Sequence, residues 1–179
     1  MTRYFESFRV TVRVSWSPYH QRDILEYMAE TKEINPDIVG RVYPADEMYS
    51  VGREKIREFA RAVKATSPIH FEVDAAQAAG YVDLVAPPTF AIILAQKADA
   101  ALIQDESAGI DFSRVVHADQ RFTHHRPIIA GDELVTEVHV DNVRVMGAGA
   151  MLTTREEITT VTGEKVATCI SSLLVRAGE

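Results

Sequence analysis

The sequence has few of the features that mark secreted, membrane-spanning or nucleic-acid-binding proteins. Its 179 residues include a single cysteine, Cys169, so no disulfide can form within the chain, which favours a reducing compartment. No run of about 18 consecutive apolar residues occurs, and we therefore expect no membrane-spanning helix. Lysine and arginine total 19 against 26 aspartates and glutamates, and the net charge of −7 argues against nucleic acid or an anionic membrane as a partner.

Residues 1–27 differ from the rest of the chain. Arginine is frequent there, and apolar and polar residues alternate over 8–16, which is typical of a β-strand. Because no uninterrupted apolar segment follows the first arginines, we expect no secretory signal and predict a cytoplasmic protein. The segment is either an additional strand or translated upstream sequence with Met28 as the natural start. Residues 1–36 are therefore treated as an atypical extension of a domain over 37–179.

The rest of the sequence predicts helices first and strands later. An amphipathic helix is expected over 53–66, a short alanine-rich helix over 73–80, and an apolar, buried helix that follows Pro88 and continues to Ile103. Alternating patterns predict four strands: Val115–Phe122, Leu134–Val145, Met151–Val161 and Val166–Val175. This order is typical of an α+β domain, in which a helix packs on an antiparallel sheet.

Three segments carry a family resemblance: YSVGREKIREFA (49–60), VAPPTF (85–90) and RPIIAGDEL (126–134). Together they resemble MaoC-like dehydratase domains, in particular the HadA- and HadC-type subunits of (3R)-hydroxyacyl-ACP dehydratase. The resemblance covers about residues 37–177. It implies the hot-dog fold, a curved antiparallel sheet wrapped around a long central helix, in a domain that dimerises. It also implies acyl-ACP or acyl-CoA as substrate, and no cofactor.

Enzymes of this family dehydrate (3R)-hydroxyacyl thioesters reversibly. The reaction needs a base beside the α-carbon, a proton donor for the leaving hydroxyl, and hydrogen-bond donors for the thioester oxygen. Active members supply the base and the acid from an Asp-x-Asn-Pro-x-His motif. The matching string is ATSPIH (65–70), so His70 is retained as the candidate catalytic residue while Ala65 occupies the aspartate position. Half of the acid–base pair is therefore missing.

A second departure lies at the start of the buried helix. Active members typically place a glycine there, whose N–H holds the thioester oxygen at the helix N-terminus. This chain has Pro88, which has no N–H, although Thr89 or Phe90 could still donate. Both departures predict an acyl-binding subunit that works with a catalytic hot-dog partner. Two alternatives stay open: a self-sufficient homodimeric hydratase using His70, and a non-enzymatic acyl-thioester binding module.

The resemblance also implies a substrate-binding set. Thr89, Phe90, Ile93 and Leu94 stand at the start of the buried helix, where residues of this fold line the tunnel for an acyl chain. An acid that replaces the missing aspartate would have to come from elsewhere, and Glu72 or Asp74 are the nearest carboxylates after His70. Phe90, Ile93 and Leu94 also suit core positions, and Thr89 could instead cap a turn.

Other polar residues are candidates for binding the carrier part of the substrate or a metal ion. Arg121 and Arg126 are predicted to contact a phosphopantetheine phosphate or an acidic carrier protein, with surface ion pairs as the alternative. We expect no metal site at His117, His124 and His125, because no further ligands stand at zinc-binding spacing. Cys169 lies in an apolar strand pattern and is expected to be inert packing.

Overall fold

The computed structural model describes residues 33–45, 47–147 and 149–176. The strand predicted over 8–16 and the alternative start at Met28 lie outside these residues. Within these residues there are three α-helices: α1 (Arg53–Ala62), α2 (Val73–Ala78) and α3 (Ala91–Gln104). Single 3-10 turns precede α2 at Pro68–His70 and α3 at Pro88–Phe90. No helix within the described ranges is long and apolar enough to cross a membrane.

In the described part of the chain, six strands form one antiparallel sheet: β1 (Val42–Tyr43), β2 (Tyr49–Ser50), β3 (Val115–His124), β4 (Glu133–Met146), β5 (Gly149–Thr160) and β6 (Lys165–Arg176). Their order is β1-β4-β5-β6-β3, and β2 pairs separately with β4. The four long strands confirm the predicted ones, with ends displaced by at most two residues. The α+β class and the packing of α3 on the sheet are also confirmed.

Helix α1 is shorter than predicted. It ends at Ala62 rather than at residue 66, because Lys64 adopts the left-handed conformation with φ 56°. The Ala65 N–H donates to Ala60 O at 2.8 Å and the Lys64 N–H donates to Arg61 O at 3.1 Å. This is the bonding of a Schellman cap, formed without the glycine that usually takes the left-handed position. The residue types around Lys64 did not predict that the helix ends here.

The core lies between α3 and one face of the sheet, and it consists of two apolar clusters. One surrounds Phe90 and Leu94 near the start of α3, and the other surrounds Leu102 near its end. Helix α3 was predicted to be apolar and buried, and it differs in one respect, because Gln96 and Lys97 are exposed while Asp99 is buried. The helix therefore has a solvent-facing side and a polar residue inside.

Residues 33–36, assigned to the extension from sequence, contact the domain. Ile34 packs in the second apolar cluster, and the Asn35 N–H donates to Ala108 O at 2.9 Å. Gly109 makes this approach feasible: its φ is 67°, and a Cβ there would stand 2.1 Å from Glu33 O. Any larger residue at this position would push the segment away from the sheet.

Candidate functional site

A cavity of about 510 Å³ lies where the Pro68–His70 turn, the segment before α3 and the end of β3 meet. Its walls are mainly apolar, and its polar side chains are three histidines and one arginine: His70, His124, His125 and Arg126. These residues come from two distant parts of the chain. The structure therefore brings the candidate catalytic histidine together with His124 and His125, at which the sequence predicted no site.

His70 is buried and held in one orientation. Its Nδ1 lies 2.6 Å from Val85 O, and because a carbonyl can only accept, Nδ1 carries the proton. In the neutral ring, Nε2 then has the free lone pair. Val85 is itself fixed, since its N–H donates to Ile69 O at 3.1 Å and it forms a bridge with Ile129. The imidazole is thus ready to exchange a proton through Nε2.

The carboxylate that would complete the acid–base pair is missing. Ala65, at the aspartate position of the motif, presents only a methyl group. Glu72 and Asp74 are exposed at the start of α2, and neither lines the cavity. Among the described residues, no aspartate or glutamate lines the cavity with His70. The cavity therefore contains the histidine of the motif's acid–base pair without the carboxylate that the motif pairs with it.

Backbone groups in the turn at the N-terminus of α3 are already engaged in hydrogen bonds. The Phe90 N–H donates to Pro87 O at 2.8 Å, so this N–H is already engaged. His124 lies against the same turn, with Nε2 2.7 Å from Pro88 O, and must donate to that carbonyl. Of the two donors suggested from sequence, the structure leaves Thr89 for a thioester oxygen. The strand pattern could not predict that His124 reaches Pro88, because the two residues meet only in the folded structure.

One protein-family model matches most of the chain. The model of the family described as "FAS1-like, dehydratase domain region" matches residues 37–169. The chain belongs to this dehydratase-domain family. The match spans both family strings that form the cavity, at 85–90 and 126–134, and it covers the described helices and nearly all of the sheet.

Uncharacterised bacterial proteins are close relatives of this dehydratase-domain protein. A UPF0336 protein of Saccharopolyspora erythraea is 53% identical over 143 residues, covering 80% of this chain and 92% of its own. A second, of Leifsonia xyli subsp. xyli, is 52% identical over 146 residues, covering 82% and 98%. The match therefore takes in nearly the whole of these relatives.

Solved structures show the same fold. A C-terminally truncated HadBC (3R-hydroxyacyl-ACP dehydratase) complex from Mycobacterium tuberculosis aligns with a TM-score of 0.71 at 38% identity, covering 77% of this chain and 97% of that one. A MaoC-like dehydratase aligns with a TM-score of 0.72 at 34% identity, covering 78% of this chain but 42% of that one. The resemblance to MaoC-like domains and the hot-dog fold are thus confirmed.

The two predicted carrier contacts differ in their surroundings. Arg126 is largely buried, and its guanidinium binds Asp132 through Nη1 at 2.8 Å and Nη2 at 3.0 Å, with Glu164 at 3.1 Å from Nε. Arg121 is exposed on β3 and pairs with Asp119 at 2.9 Å. A role in phosphate or carrier binding stays a prediction for both, and the exposed Arg121 is better placed for it.

The Arg126→Ala substitution is expected to lower the free energy of unfolding by roughly 2 kcal/mol, because it leaves the partly buried Asp132 without its charged donor. Asp132 also accepts from the Ile129 N–H at 2.9 Å, so the cavity wall should loosen as well. Urea unfolding checks this result, with Arg121→Ala as the exposed control. Equal effects of the two substitutions would contradict a structural role for Arg126.

The four predicted acyl-binding residues do not share one cavity. Phe90 is fully buried in the first apolar cluster, and Ile93 packs against that cluster while half-exposed. Leu94 lines a second cavity of about 250 Å³ between α3 and β4. Thr89 is exposed beside the entrance of α3. Substrate contact at these residues stays a prediction.

The histidines that line the cavity do not form a metal-binding cluster, and the cysteine lies elsewhere, in the core. In the described part of the chain, no three histidine, cysteine, aspartate or glutamate side chains are grouped to hold a metal ion. Cys169 is buried in the first cluster, and burial raises the pKa of its thiol to about 12. The thiol is therefore protonated at neutral pH, which agrees with the packing role predicted for it.

Proposed function

We propose that this chain is the acyl-chain-binding subunit of a (3R)-hydroxyacyl-thioester dehydratase of fatty-acid elongation, acting on acyl-ACP or acyl-CoA. A partner hot-dog subunit supplies the Asp/His pair. One observation carries the proposal: His70 lines the cavity while none of the described carboxylates does. A positioned acid or base typically contributes about 10²–10⁴-fold to a rate, so a site with half of the pair is a poor catalyst alone.

The exposed edge of the sheet supports the proposal that a partner subunit binds this chain. Strand β3 spans ten residues, Val115–His124, and in the described residues it pairs with β6 alone. Its other edge leaves a row of backbone N–H and C=O groups for another strand. Val116 on this strand is 41% exposed, so its apolar side chain is available for contact with a partner. The similar HadBC structure is a complex of two kinds of subunit.

The walls of the cavity support acyl binding. Ile69, Pro87, Pro127 and Ile128 provide apolar surface around His70. The volume of about 510 Å³ lies within the range of small-molecule sites. Leu94 and the second cavity offer further apolar surface along α3. In this proposal the chain holds the acyl tail while the thioester reacts at the partner's pair.

Co-expression with a hot-dog subunit that carries the intact motif tests the proposal. We expect one stable complex with both chains in equal amounts. The Val116→Lys variant should weaken the complex, because it places a charge on the strand edge. Val82→Lys is the matched control, since Val82 is 78% exposed and lies away from β3. A stable homodimer that captures no hot-dog subunit would contradict the proposal.

A self-sufficient homodimeric hydratase is the second candidate. The observation that favours it is the orientation of His70, whose Nδ1 bond to Val85 O leaves Nε2 free to take a proton. This function requires an acid from outside the described part of the cavity, for instance from a second copy. It predicts enoyl-thioester turnover by the chain alone, abolished when His70 is replaced.

A further inference from the structure

A layer of polar side chains crosses the core between the two apolar clusters. Asp99 enters it from α3, Thr136 from β4, Thr154 and Glu156 from β5, and Ser171 from β6. All five are more than nine-tenths buried, with exposed fractions of 7%, 8%, 0%, 0% and 1% respectively. The strand pattern explains the positions on β5, where Leu152, Thr154, Glu156 and Ile158 alternate inward. The layer lies away from the residues that line the His70 cavity.

The hydrogen bonds of the layer are short of donors. The Ser171 hydroxyl lies 2.8 Å from Gln120 Oε1 and 3.3 Å from Glu156 Oε2, and its single proton can serve only one of them. Gln120 Nε2 faces the carbonyl of Ile170 at 3.3 Å, which fixes Oε1 as the acceptor toward Ser171. When Ser171 donates to Gln120, its contact with Glu156 needs a proton on the carboxyl.

Three buried oxygen atoms in the layer have no partner among the described residues: Asp99 Oδ1, Glu156 Oε1 and Thr154 Oγ1. Two of them belong to carboxyl groups that lie close enough to interact directly. A protonated carboxyl can donate to its neighbour, whereas two carboxylates can only repel each other. An internal water could bridge the remaining polar atoms, as is common for buried groups of this kind.

No cation balances the two carboxyl groups within the described core. From β6 they meet Ser171 and Cys169, from β3 Gln120, and from β4 the uncharged Thr136, so Cys169 is the one further titratable group facing them. Lys97 is a neighbour on α3, but it points outward to Glu47 at 2.5 Å. Two bare carboxylates in such a place would be very costly, and a proton is the simplest counterion.

We infer that Asp99 and Glu156 form a buried acid–carboxylate pair that holds one proton at neutral pH, and that loss of this proton weakens the packing of α3 on the sheet. The role is that of a built-in pH-sensitive contact. It is independent of the proposed function, because the pair does not line the His70 cavity, and a failed dehydratase assay would leave it standing.

The direction of the pH effect on stability follows from the pKa shifts of the two carboxyl groups. Burial, and then the charge of Glu156, raise the pKa of Asp99 from 3.8 to about 8, and burial also raises the pKa of Glu156. A carboxyl whose pKa is higher in the folded state binds its proton more tightly there. Its contribution is therefore complete below the ordinary carboxyl range, and it is progressively lost as the pH rises through about 8.

Urea unfolding of the full chain between about pH 6 and pH 9 tests the pair. The folded-to-unfolded ratio of the natural chain should fall as the pH rises, by up to about tenfold for each pH unit below a pH of about 8, and should level off above it. The Asp99→Asn variant keeps an uncharged donor toward Glu156, so this fall should disappear. Asp74→Asn is the control, since Asp74 is exposed on α2, and should follow the natural chain.

Infrared spectroscopy keeps the inference testable if Asp99→Asn does not fold. The natural chain should show the C=O stretch of a protonated carboxyl at about pH 6, and this band should vanish by about pH 9. Glu156→Gln provides a second variant, in which the band should change its pH dependence. A stability that stays level over this range, an unchanged fall in Asp99→Asn, or the absence of the band at pH 6 would each overturn the inference.

Discussion

The His70→Asn variant, assembled with a catalytic hot-dog subunit, is expected to hydrate trans-2-enoyl thioesters at a rate within about twofold of the natural complex. The reason is that no described carboxylate lines the cavity with His70, so the acid–base pair of the motif is incomplete in this chain. Asparagine can still donate an N–H to Val85 O, which His70 Nδ1 approaches at 2.6 Å, and so preserves the local structure. The measurement is kcat and KM for the assembled complex.

The matched control is the same substitution in the partner. Replacing the histidine of the partner's intact motif should lower kcat by about 10²–10⁴-fold, the usual contribution of a positioned acid or base. A comparable loss from His70→Asn would contradict the accessory role and would favour a reaction centre in this chain. A pH profile separates the cases further, because only a catalytic histidine should determine the shape of the profile.

Replacement of Phe90 by alanine is expected to lower the free energy of unfolding by about 3–5 kcal/mol, the usual cost of removing a buried phenylalanine side chain. The ring is fully buried and meets Phe59 edge to face, with centroids 5.4 Å apart. It also closes the cluster that holds the first turn of α3 against the sheet. Urea unfolding gives the free energy directly.

Ile93→Ala is the control that separates stability from substrate binding. Ile93 is half-buried on the same helix and packs at the margin of the cluster, so its removal should cost less stability. If both residues line an acyl tunnel, acyl-thioester affinity should fall in both variants. A Phe90→Ala protein of unchanged stability and lost acyl affinity would show that Phe90 serves the ligand rather than the core.

The fold was largely predictable because its strands obey a simple rule. Alternate residues of β5, such as Leu152 and Ile158, face the core, and the same alternation defined the other long strands from sequence. Turn chemistry also explains the end of α2 at Ala78, two residues before the predicted end, because Gly80 follows it with φ 91°, the left-handed conformation of a helix cap. The end of α1 escaped prediction because Lys64, which is not a glycine, adopts the left-handed conformation there.

The site was less predictable, because it depends on tertiary contacts. The motif identified His70 and the missing carboxylate at Ala65, but spacing could not show that His124 reaches Pro88 O. The sequence did not predict that Asp99 is buried, because an aspartate in a largely apolar helix is usually expected to face solvent. Two signals were available: Asp99 lies four residues after Ala95, and Glu156 has the inward parity of its strand.

The deciding measurement is the hydration of a trans-2-enoyl thioester by the purified chain, alone and with a co-expressed hot-dog subunit that carries the Asp/His motif. We expect no turnover above the uncatalysed rate for the chain alone, and turnover in the complex that is insensitive to His70→Asn. Turnover by the chain alone, lost in His70→Asn, would rule out the accessory role and would make this protein a hydratase in its own right.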